Sequence, residues 1–343
     1  MDYRQPFSQN CFMKRALSLL FAAALTLAAQ PTPPDIINTL ESHERSTSRS
    51  FEDTDRQIDD LLWYHRIGDV ANIEKYEIAS SKPRRSKNPT DINAGNPIIF
   101  PVYVFSPKNL KGKAPMLVFV HGGVHGRLTT SYANIFREAI EQGYVIVSPE
   151  YRGSIGHGSD LYSQIDYGGA EIDDTHDARD WAVQNLPFVD KNRVGIFGWS
   201  HGGYHTLMNI FSWPDDYKAA YAGVPVSDLV TRMGYTGQEY RDIFADFIGK
   251  QPEDNVMEFR RRSPVYYVDK LKTPLLIHTT TNDEDVHVIE VEHLIVALKA
   301  AGKKFEYKIY QNAPGGHRFN RIDTALAKES RAEMWAFLAR HLK

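Results

Sequence analysis

The chain has 343 residues, of which 42% are hydrophobic, so it is long enough to bury one large core or two smaller ones. Its formal net charge is −3 and its basic residues are scattered, which argues against nucleic acid as a partner. The single cysteine, Cys11, excludes a disulfide scaffold and a thiolate metal site.

The N-terminus carries the pattern of an export signal. Lys14 and Arg15 precede an apolar run over residues 16–29, and a proline-rich polar segment follows. A basic start, a short apolar stretch and small residues before a polar break are typical of a secretory signal peptide. We therefore predict a signal peptide over residues 1–30 and a mature protein exported to the periplasm or the extracellular space, without stable membrane insertion. An uncleaved anchor and a buried helix are the alternatives.

The next segment is predicted to be helical and then irregular. Residues 35–66 are polar, with apolar residues at nearly helical spacing in their second half. Residues 80–97 are rich in Ser, Lys, Pro, Asn and Gly, which is typical of a loop. We assign residues 31–97 to a helical N-terminal extension and linker.

From residue 98 onward, short apolar runs alternate with amphipathic stretches. Strands are predicted at 98–105, 116–121, 144–149, 193–198, 219–225, 274–280 and 305–310. Helices are predicted at 131–142, 171–186, 201–213, 288–301 and 323–342. The alternation favours an α/β domain over residues 98–343, with a mostly parallel central sheet and helices on both faces. Residues 228–263 interrupt the alternation and are predicted to form a small cap.

A candidate nucleophile lies where a predicted strand meets a predicted helix. The pattern Gly198-x-Ser200-x-Gly202 is the sequence of a nucleophile elbow, in which a strained turn presents a serine hydroxyl at the edge of a sheet. Glycines are needed beside it because side chains there would collide with neighbouring backbone. A serine in this position needs a base and an orienting acid.

Two later loops supply an acid and a base in the chain order that this fold requires. Residues 279–286 follow one predicted strand and contain three acids, and His317 follows two glycines after the next strand. We favour Asp283 as the acid, with Asp285 as runner-up and Glu284 as a third choice. His317 is the predicted base, and activity should fall as it becomes protonated, near or below neutrality. Other histidines weighed against it are His121, His201, His205, His287 and His293.

The predicted strand at 116–121 ends in His121-Gly122-Gly123, which is suited to an oxyanion hole. Acyl transfer builds negative charge on a carbonyl oxygen, and backbone N–H groups must point toward it. We predict one donor near Gly123 and another at the N–H of His201. Metal binding by His121 and His125 is a weaker alternative, since no HExxH motif and no third ligand accompany them.

Together these segments resemble the prolyl oligopeptidase family of serine peptidases, within the α/β-hydrolase superfamily, over about residues 98–343. The segments that carry the resemblance are HGG at 121–123, PEYRGSIGHG at 149–158, DYGGAEIDD at 166–174, GWSHGG at 198–203, Asp-Val at 285–286 and GGH at 315–317. The resemblance implies a catalytic triad of Ser200, Asp283 and His317. It also implies a pocket for the residue before the scissile bond, with Tyr235 and Tyr240 as candidates.

Two departures from the family pattern stand out. The acid loop lacks the glycine of the usual His-Gly-x-x-Asp and is one residue longer, which keeps Asp285 in question. The β-propeller of family peptidases is also missing, so we expect a catalytic domain with a small helical extension.

The sequence therefore predicts a serine hydrolase that forms an acyl-enzyme on Ser200 and needs neither cofactor nor metal. A peptidase acting on short peptides is the leading interpretation. A carboxylesterase acting on a small or carbohydrate ester is the alternative, and a non-catalytic binding protein on a hydrolase scaffold is a remote one. The pattern does not indicate an oligomeric state.

Overall fold

The computed structural model describes residues 34–86, 88, 90 and 92–343. The predicted signal peptide and Cys11 lie outside these residues. The chain divides into two compact units, with the boundary between Phe51 and Glu52. The described part of the first unit, residues 34–51, is helical.

The second unit contains an eight-stranded sheet in the order β1-β2-β4-β3-β5-β6-β7-β8. The strands are β1 (Ala71–Pro83), β2 (Pro97–Pro107), β3 (Ala114–Val120), β4 (Val145–Pro149), β5 (Val189–Trp199), β6 (Ala219–Gly223), β7 (Leu275–Thr280) and β8 (Glu306–Tyr310). β1 and β2 run antiparallel to their neighbours, and the other six strands are parallel. The predicted α/β-hydrolase fold with a mostly parallel sheet is confirmed.

Ten helices of the described chain accompany the sheet. They are α1 (Pro34–Ile67), α2 (Ala133–Glu141), α3 (Gly158–Tyr162), α4 (Ala170–Asn185), α5 (His201–Ser212), α6 (Leu229–Tyr235), α7 (Gln238–Ile248), α8 (Val256–Arg261), α9 (Val288–Ala300) and α10 (Ala325–Leu342). Three short 3₁₀ turns, Thr130–Tyr132, Pro264–Lys270 and Gly316–Arg318, complete the regular structure. All seven predicted strands and all five helices predicted after residue 98 are present, with ends shifted by a few residues.

Side chains of the central strands alternate between two hydrophobic cores. On β3, Met116 and Val118 join the core that contains α4, α5 and α9. Leu117 and Phe119 join the core that contains α2, α10 and the end of α1. Because both faces are covered, every residue of β3 is buried, which explains why its sequence is a continuous apolar run.

The prediction for residues 31–97 is wrong in one respect, since residues 71–83 form the edge strand β1. The loop predicted from residue 80 therefore begins four residues too early. β1 pairs with β2 along almost its whole length, and only a few of its residues are buried. An edge strand with one solvated face carries many polar residues, so its sequence lacks the apolar run that marks the central strands.

The last turns of α1 belong to the core of the second unit. Trp63 is 1% exposed, and its ring centroid lies 4.9 Å from that of Phe105 on β2 and 5.2 Å from that of Phe136 on α2. Tight aromatic packing of this kind buries a large apolar area. The unit that contains the sheet therefore begins before the predicted boundary at residue 98.

The predicted cap at 228–263 consists of the three helices α6, α7 and α8 between β6 and β7. Its apolar residues pack against one another and against the loop before α4 and the helix α5. The cap thus adjoins the C-terminal ends of the central strands, where ligands bind in open parallel sheets.

Candidate active site

Ser200 lies at the turn between β5 and α5, in a backbone conformation that serine rarely adopts. Its φ is 60° and its ψ is −122°. Such a conformation costs about 1–3 kcal/mol and persists only when the surroundings enforce it. Here the N–H of Ser200 donates to the carbonyl of Gly223 on the neighbouring strand, at 2.9 Å. The elbow predicted from the sequence is present in the structure.

The glycines around Ser200 are required by close backbone approach. A Cβ atom on Gly202 would lie 2.0 Å from the carbonyl oxygen of Val120, at the end of β3. A Cβ atom on Gly198 would lie 2.6 Å from the backbone of Gly202. Backbone atoms cannot retreat as a flexible side chain can, so the sharp turn depends on these two positions.

Asp283 and His317 form a buried pair. Both carboxylate oxygens of Asp283 lie 2.9 Å from Nδ1 of His317. The same carboxylate accepts hydrogen bonds from the backbone N–H groups of Asp285 at 2.9 Å and Val286 at 2.8 Å. These contacts fix the carboxylate, and the carboxylate in turn fixes the orientation of the imidazole ring. Of the three acids in the loop, Asp283 is the one at Nδ1.

The other two acids of the loop lie close to His317 in different ways. Glu284 accepts a hydrogen bond from the backbone N–H of His317 at 3.2 Å. Asp285 is half exposed, and its Oδ2 lies 3.6 Å from Nε2 of His317. Among the described residues, no hydrogen bond joins the Ser200 hydroxyl to His317. Catalytic hydrogen bonds are often long in unliganded sites and shorten when substrate binds.

The candidate oxyanion hole lies between the His-Gly-Gly loop and the start of α5. A Cβ atom on Gly122 would lie 3.5 Å from the Cβ atom of Ser200, so this loop passes directly beside the elbow. Gly123 has a φ of +79°, which favours glycine, and its carbonyl accepts a hydrogen bond from Tyr151 at 2.8 Å. The N–H of His201 is at the first position of α5, where a helix offers no internal acceptor.

His121 and His125 have separate structural contacts. Nε2 of His121 lies 3.0 Å from the Ser154 hydroxyl, and its ring stacks on Tyr151. Nδ1 of His125 lies 2.7 Å from the carbonyl of Gly153. Within the described part of the chain, two groups of side chains are arranged as metal ligands, and neither includes these histidines. The weaker alternative of a metal held by His121 and His125 therefore has no geometric support.

Tyr235 and Tyr240 meet at Arg232 in the cap. Nε of Arg232 donates to the hydroxyl of Tyr240 at 2.8 Å, and Nη1 donates to the hydroxyl of Tyr235 at 3.1 Å. Arg232 also forms ion pairs with the buried Glu290 at 2.8 Å and with Asp285 at 3.2 Å. Burial raises the pKa of both tyrosines, so both hydroxyls are protonated at neutral pH. The structure thus links these tyrosines to the loop that holds Asp285 and Asp283.

The sequence did not predict two sets of buried polar contacts near the site. The pairing of Arg232 with Glu290 joins residues that are 58 positions apart, and no local pattern indicates it. Glu171 lies against His201 and His205, whose side chains were considered from the sequence only as competing bases. The spacing of these two histidines on one helix was the available signal, because residues four apart share a helix face.

Comparison with known proteins supports the fold and the family. The sequence profile of the prolyl oligopeptidase family matches residues 130–343. Two similar proteins are the uncharacterized peptidase YuxL of Bacillus subtilis, 30% identical over 219 residues, and dipeptidyl aminopeptidase BIII of Pseudoxanthomonas mexicana, 30% identical over 245 residues. These matches cover 62% and 68% of this chain but 32% and 35% of the relatives. The chain thus spans about a third of the length of these curated relatives.

Solved structures of similar fold include Pyrococcus horikoshii acylaminoacyl peptidase and Porphyromonas gingivalis dipeptidyl peptidase 4. The first has a TM-score of 0.66 at 22% identity, and the match covers 81% of this chain and 43% of that one. The second has a TM-score of 0.63 at 21% identity, with 80% and 36% covered. In addition, none of the helices described here is long and apolar enough to cross a membrane.

Proposed function

The chain belongs to the prolyl oligopeptidase family of serine peptidases, and from this premise we propose that it is a serine hydrolase that forms an acyl-enzyme on Ser200. The observation that carries the proposal is the buried Asp283–His317 pair, in which Nδ1 lies 2.9 Å from the carboxylate. This pair and the strained elbow of Ser200 both follow the C-terminal ends of parallel strands. An elbow serine, a histidine and an orienting carboxylate are the elements that nucleophilic acyl transfer needs.

Each residue of the proposed triad has a defined task. Nε2 of His317 accepts the proton of the Ser200 hydroxyl as its oxygen attacks the substrate carbonyl carbon. Asp283 keeps the other ring nitrogen protonated and stabilises the imidazolium that forms. His317 then gives the proton to the leaving group, which departs and leaves the acyl group on Ser200. A water molecule, deprotonated by the same histidine, then attacks the acyl carbon. The bond to Ser200 Oγ breaks, the histidine returns the proton to Oγ, and the acid product is released.

The negative charge that develops on the carbonyl oxygen is stabilised by backbone N–H groups in this proposal. The N–H of His201 is at the start of α5, and the loop of Gly122 and Gly123 passes beside Ser200. Donors fixed in advance are effective because they need no reorganisation during the reaction, and loss of one typically costs about 3–4 kcal/mol of transition-state stabilisation.

We propose a peptide bond in a short peptide as the substrate. The support is the family membership and the similarity to proteins named as peptidases. The chain covers only about a third of those relatives, so their residue preferences are not transferred to it. Tyr235 and Tyr240 in the cap are the proposed pocket residues, positioned through Arg232.

The first experiment is labelling of the purified protein with a fluorophosphonate probe, which reacts with activated serines. We expect wild type to be labelled and Ser200→Ala and His317→Ala to remain unlabelled while folded. Asp283→Asn should lower kcat/KM by roughly 10³–10⁴-fold, because the imidazole loses its orienting partner. Asp285→Asn, the matched control in the same loop, should stay within about tenfold of wild type.

Three outcomes would contradict parts of this proposal. A folded wild type that is not labelled would favour a non-catalytic binding protein. Turnover of p-nitrophenyl esters combined with none of peptide p-nitroanilides would retain the triad but replace the peptidase with an esterase. A larger decrease in kcat/KM for Asp285→Asn than for Asp283→Asn would show that Asp285 is the acid.

We also propose that the protein is exported, on the composition of residues 14–29 alone. Expression of the full chain followed by N-terminal sequencing of the processed protein tests this. Retention of residues 16–29 in the mature product would contradict it.

A further inference from the structure

Three buried side chains, one from α4 and two from the helix α5 that follows the elbow, contact one another. Nε2 of His201 lies 3.2 Å from Oε1 of Glu171, and Nε2 of His205 lies 3.5 Å from the same oxygen. The two Nε2 atoms lie 3.2 Å from each other. Glu171 and His205 are completely buried, and His201 is 3% exposed. The three atoms therefore form a nearly equilateral triangle that solvent does not reach.

We infer that Glu171, His201 and His205 form a zinc site that ties α4 to the elbow helix α5. A tetrahedral zinc ion binds imidazole nitrogen and carboxylate oxygen at about 2.0–2.2 Å, which places neighbouring ligand atoms about 3.3–3.5 Å apart. The three observed separations, 3.2, 3.2 and 3.5 Å, match one face of such a tetrahedron. Two histidines and one carboxylate are also a ligand set that suits zinc.

Hydrogen bonding alone leaves this cluster incompletely satisfied. Within the described part of the chain, Oε2 of Glu171 is buried and has no hydrogen-bond partner. Buried polar atoms normally have partners, since each unpaired group costs about 1–3 kcal/mol. A bound cation would balance the buried carboxylate charge.

The surroundings of the triangle are those of a metal site. Nδ1 of His205 lies 2.8 Å from the Thr175 hydroxyl, and such a contact orients the ring and fixes which nitrogen is free to bind metal. Aromatic rings enclose the cluster: the ring of Tyr151 lies 4.4 Å from that of His205, and the ring of Tyr167 lies 4.7 Å from that of His201. A dry enclosure strengthens coordination because water does not compete.

A second group of potential ligands provides a matched control. His176, Asp180 and Asp216 are close together but only half-buried. The two carboxylates contact opposite nitrogens of the His176 ring, Nε2 at 2.8 Å and Nδ1 at 3.8 Å. Because these residues are only half-buried and the two carboxylates lie at opposite nitrogens of the ring, we expect this group not to retain zinc against a chelator.

The ion would act structurally rather than in the chemical step. His201 directly follows Ser200 and supplies a proposed oxyanion donor through its backbone. Coordination would anchor its side chain to Glu171 on α4 and hold the first turn of α5 in place. Because the cluster is buried, zinc would enter as the chain folds, and chelators would remove it only when the protein opens.

The test is the zinc content of full-length protein produced in zinc-supplemented medium and dialysed against chelator. We expect about one zinc ion per chain in wild type and in His176→Ala, and at least a tenfold lower content in Glu171→Gln and His205→Ala. The glutamine variant keeps the shape of the side chain, so it provides a readout even if His205→Ala does not fold.

X-ray absorption at the zinc edge of the wild type gives a second readout that needs no variant. It should show two imidazole ligands and oxygen, without sulfur. Folded wild type with less than a tenth of an ion per chain, or equal zinc contents in wild type and Glu171→Gln, would overturn the inference. Neither result depends on the proposed hydrolase activity, which the fluorophosphonate probe reports separately.

Discussion

His278 couples the stability of this fold to pH. It lies on β7, a few residues before the acid loop, and is 1% exposed. Nδ1 lies 2.9 Å from the Ser330 hydroxyl, and Nε2 lies 3.5 Å from the carboxylate of Glu333. Burial lowers the pKa of His278 to about 4, because the desolvation of the imidazolium outweighs the attraction of Glu333.

The sign and the size of the effect follow from linkage. An unfolded histidine has a pKa near 6.5, so below that pH the unfolded chain binds a proton that the folded protein excludes. Stability is therefore lost as the pH falls from about 6.5 toward about 4. Between pH values near 7.5 and near 5, this single residue should remove about 2 kcal/mol from the free energy of unfolding, at about 1.4 kcal/mol per pKa unit.

Urea unfolding of wild type and His278→Gln at the two pH values measures this contribution. Other groups also titrate, so the informative quantity is the difference in free energy of unfolding between wild type and variant at each pH. That difference should shift by about 2 kcal/mol in favour of the variant on acidification. His65→Gln, which replaces an exposed histidine, is the control and should show a shift below about 0.5 kcal/mol. If the difference in free energy of unfolding between wild type and His278→Gln changed with pH as little as it does for His65→Gln, the reasoning would be refuted.

Two further predictions concern the elbow and the cap. Gly202→Ala forces a Cβ atom to within 2.0 Å of a backbone carbonyl oxygen. It should therefore lower the free energy of unfolding by at least about 3 kcal/mol, measured with heat or urea, and abolish probe labelling. Gly234→Ala, with open space around the new atom, should stay within about 1 kcal/mol; equal losses in the two would contradict the steric argument. Arg232→Met leaves Glu290 buried without its cation and should cost about 3–5 kcal/mol in urea unfolding. Arg241→Met, which breaks a more exposed ion pair, should cost less than about 1 kcal/mol, and a similar cost for both would refute the role of burial.

The edge strand β1 and the cap helices are the parts of the fold that the local sequence pattern predicted least well. The central strands were predictable because burial on both faces demands continuous apolar runs. β1 is stabilised by its pairing with β2, which is an interaction between distant residues, so its own sequence carries a weak signal. The cap helices were predictable only as an interruption, since their packing depends on side chains contributed by α4 and α5.

The sequence by itself determined the alternation of strands and helices, the elbow around Ser200 and the order of the proposed nucleophile, acid and base. These features depend on periodicity and on local steric demands, which neighbouring residues encode. Only the tertiary structure decided which acid lies at Nδ1 of His317, because Asp283 and Asp285 are two residues apart and their positions depend on the path of the loop between β7 and α9. It alone brought Glu171 to His201 and His205, since the convergence of two helices on one buried point depends on the packing of the whole domain.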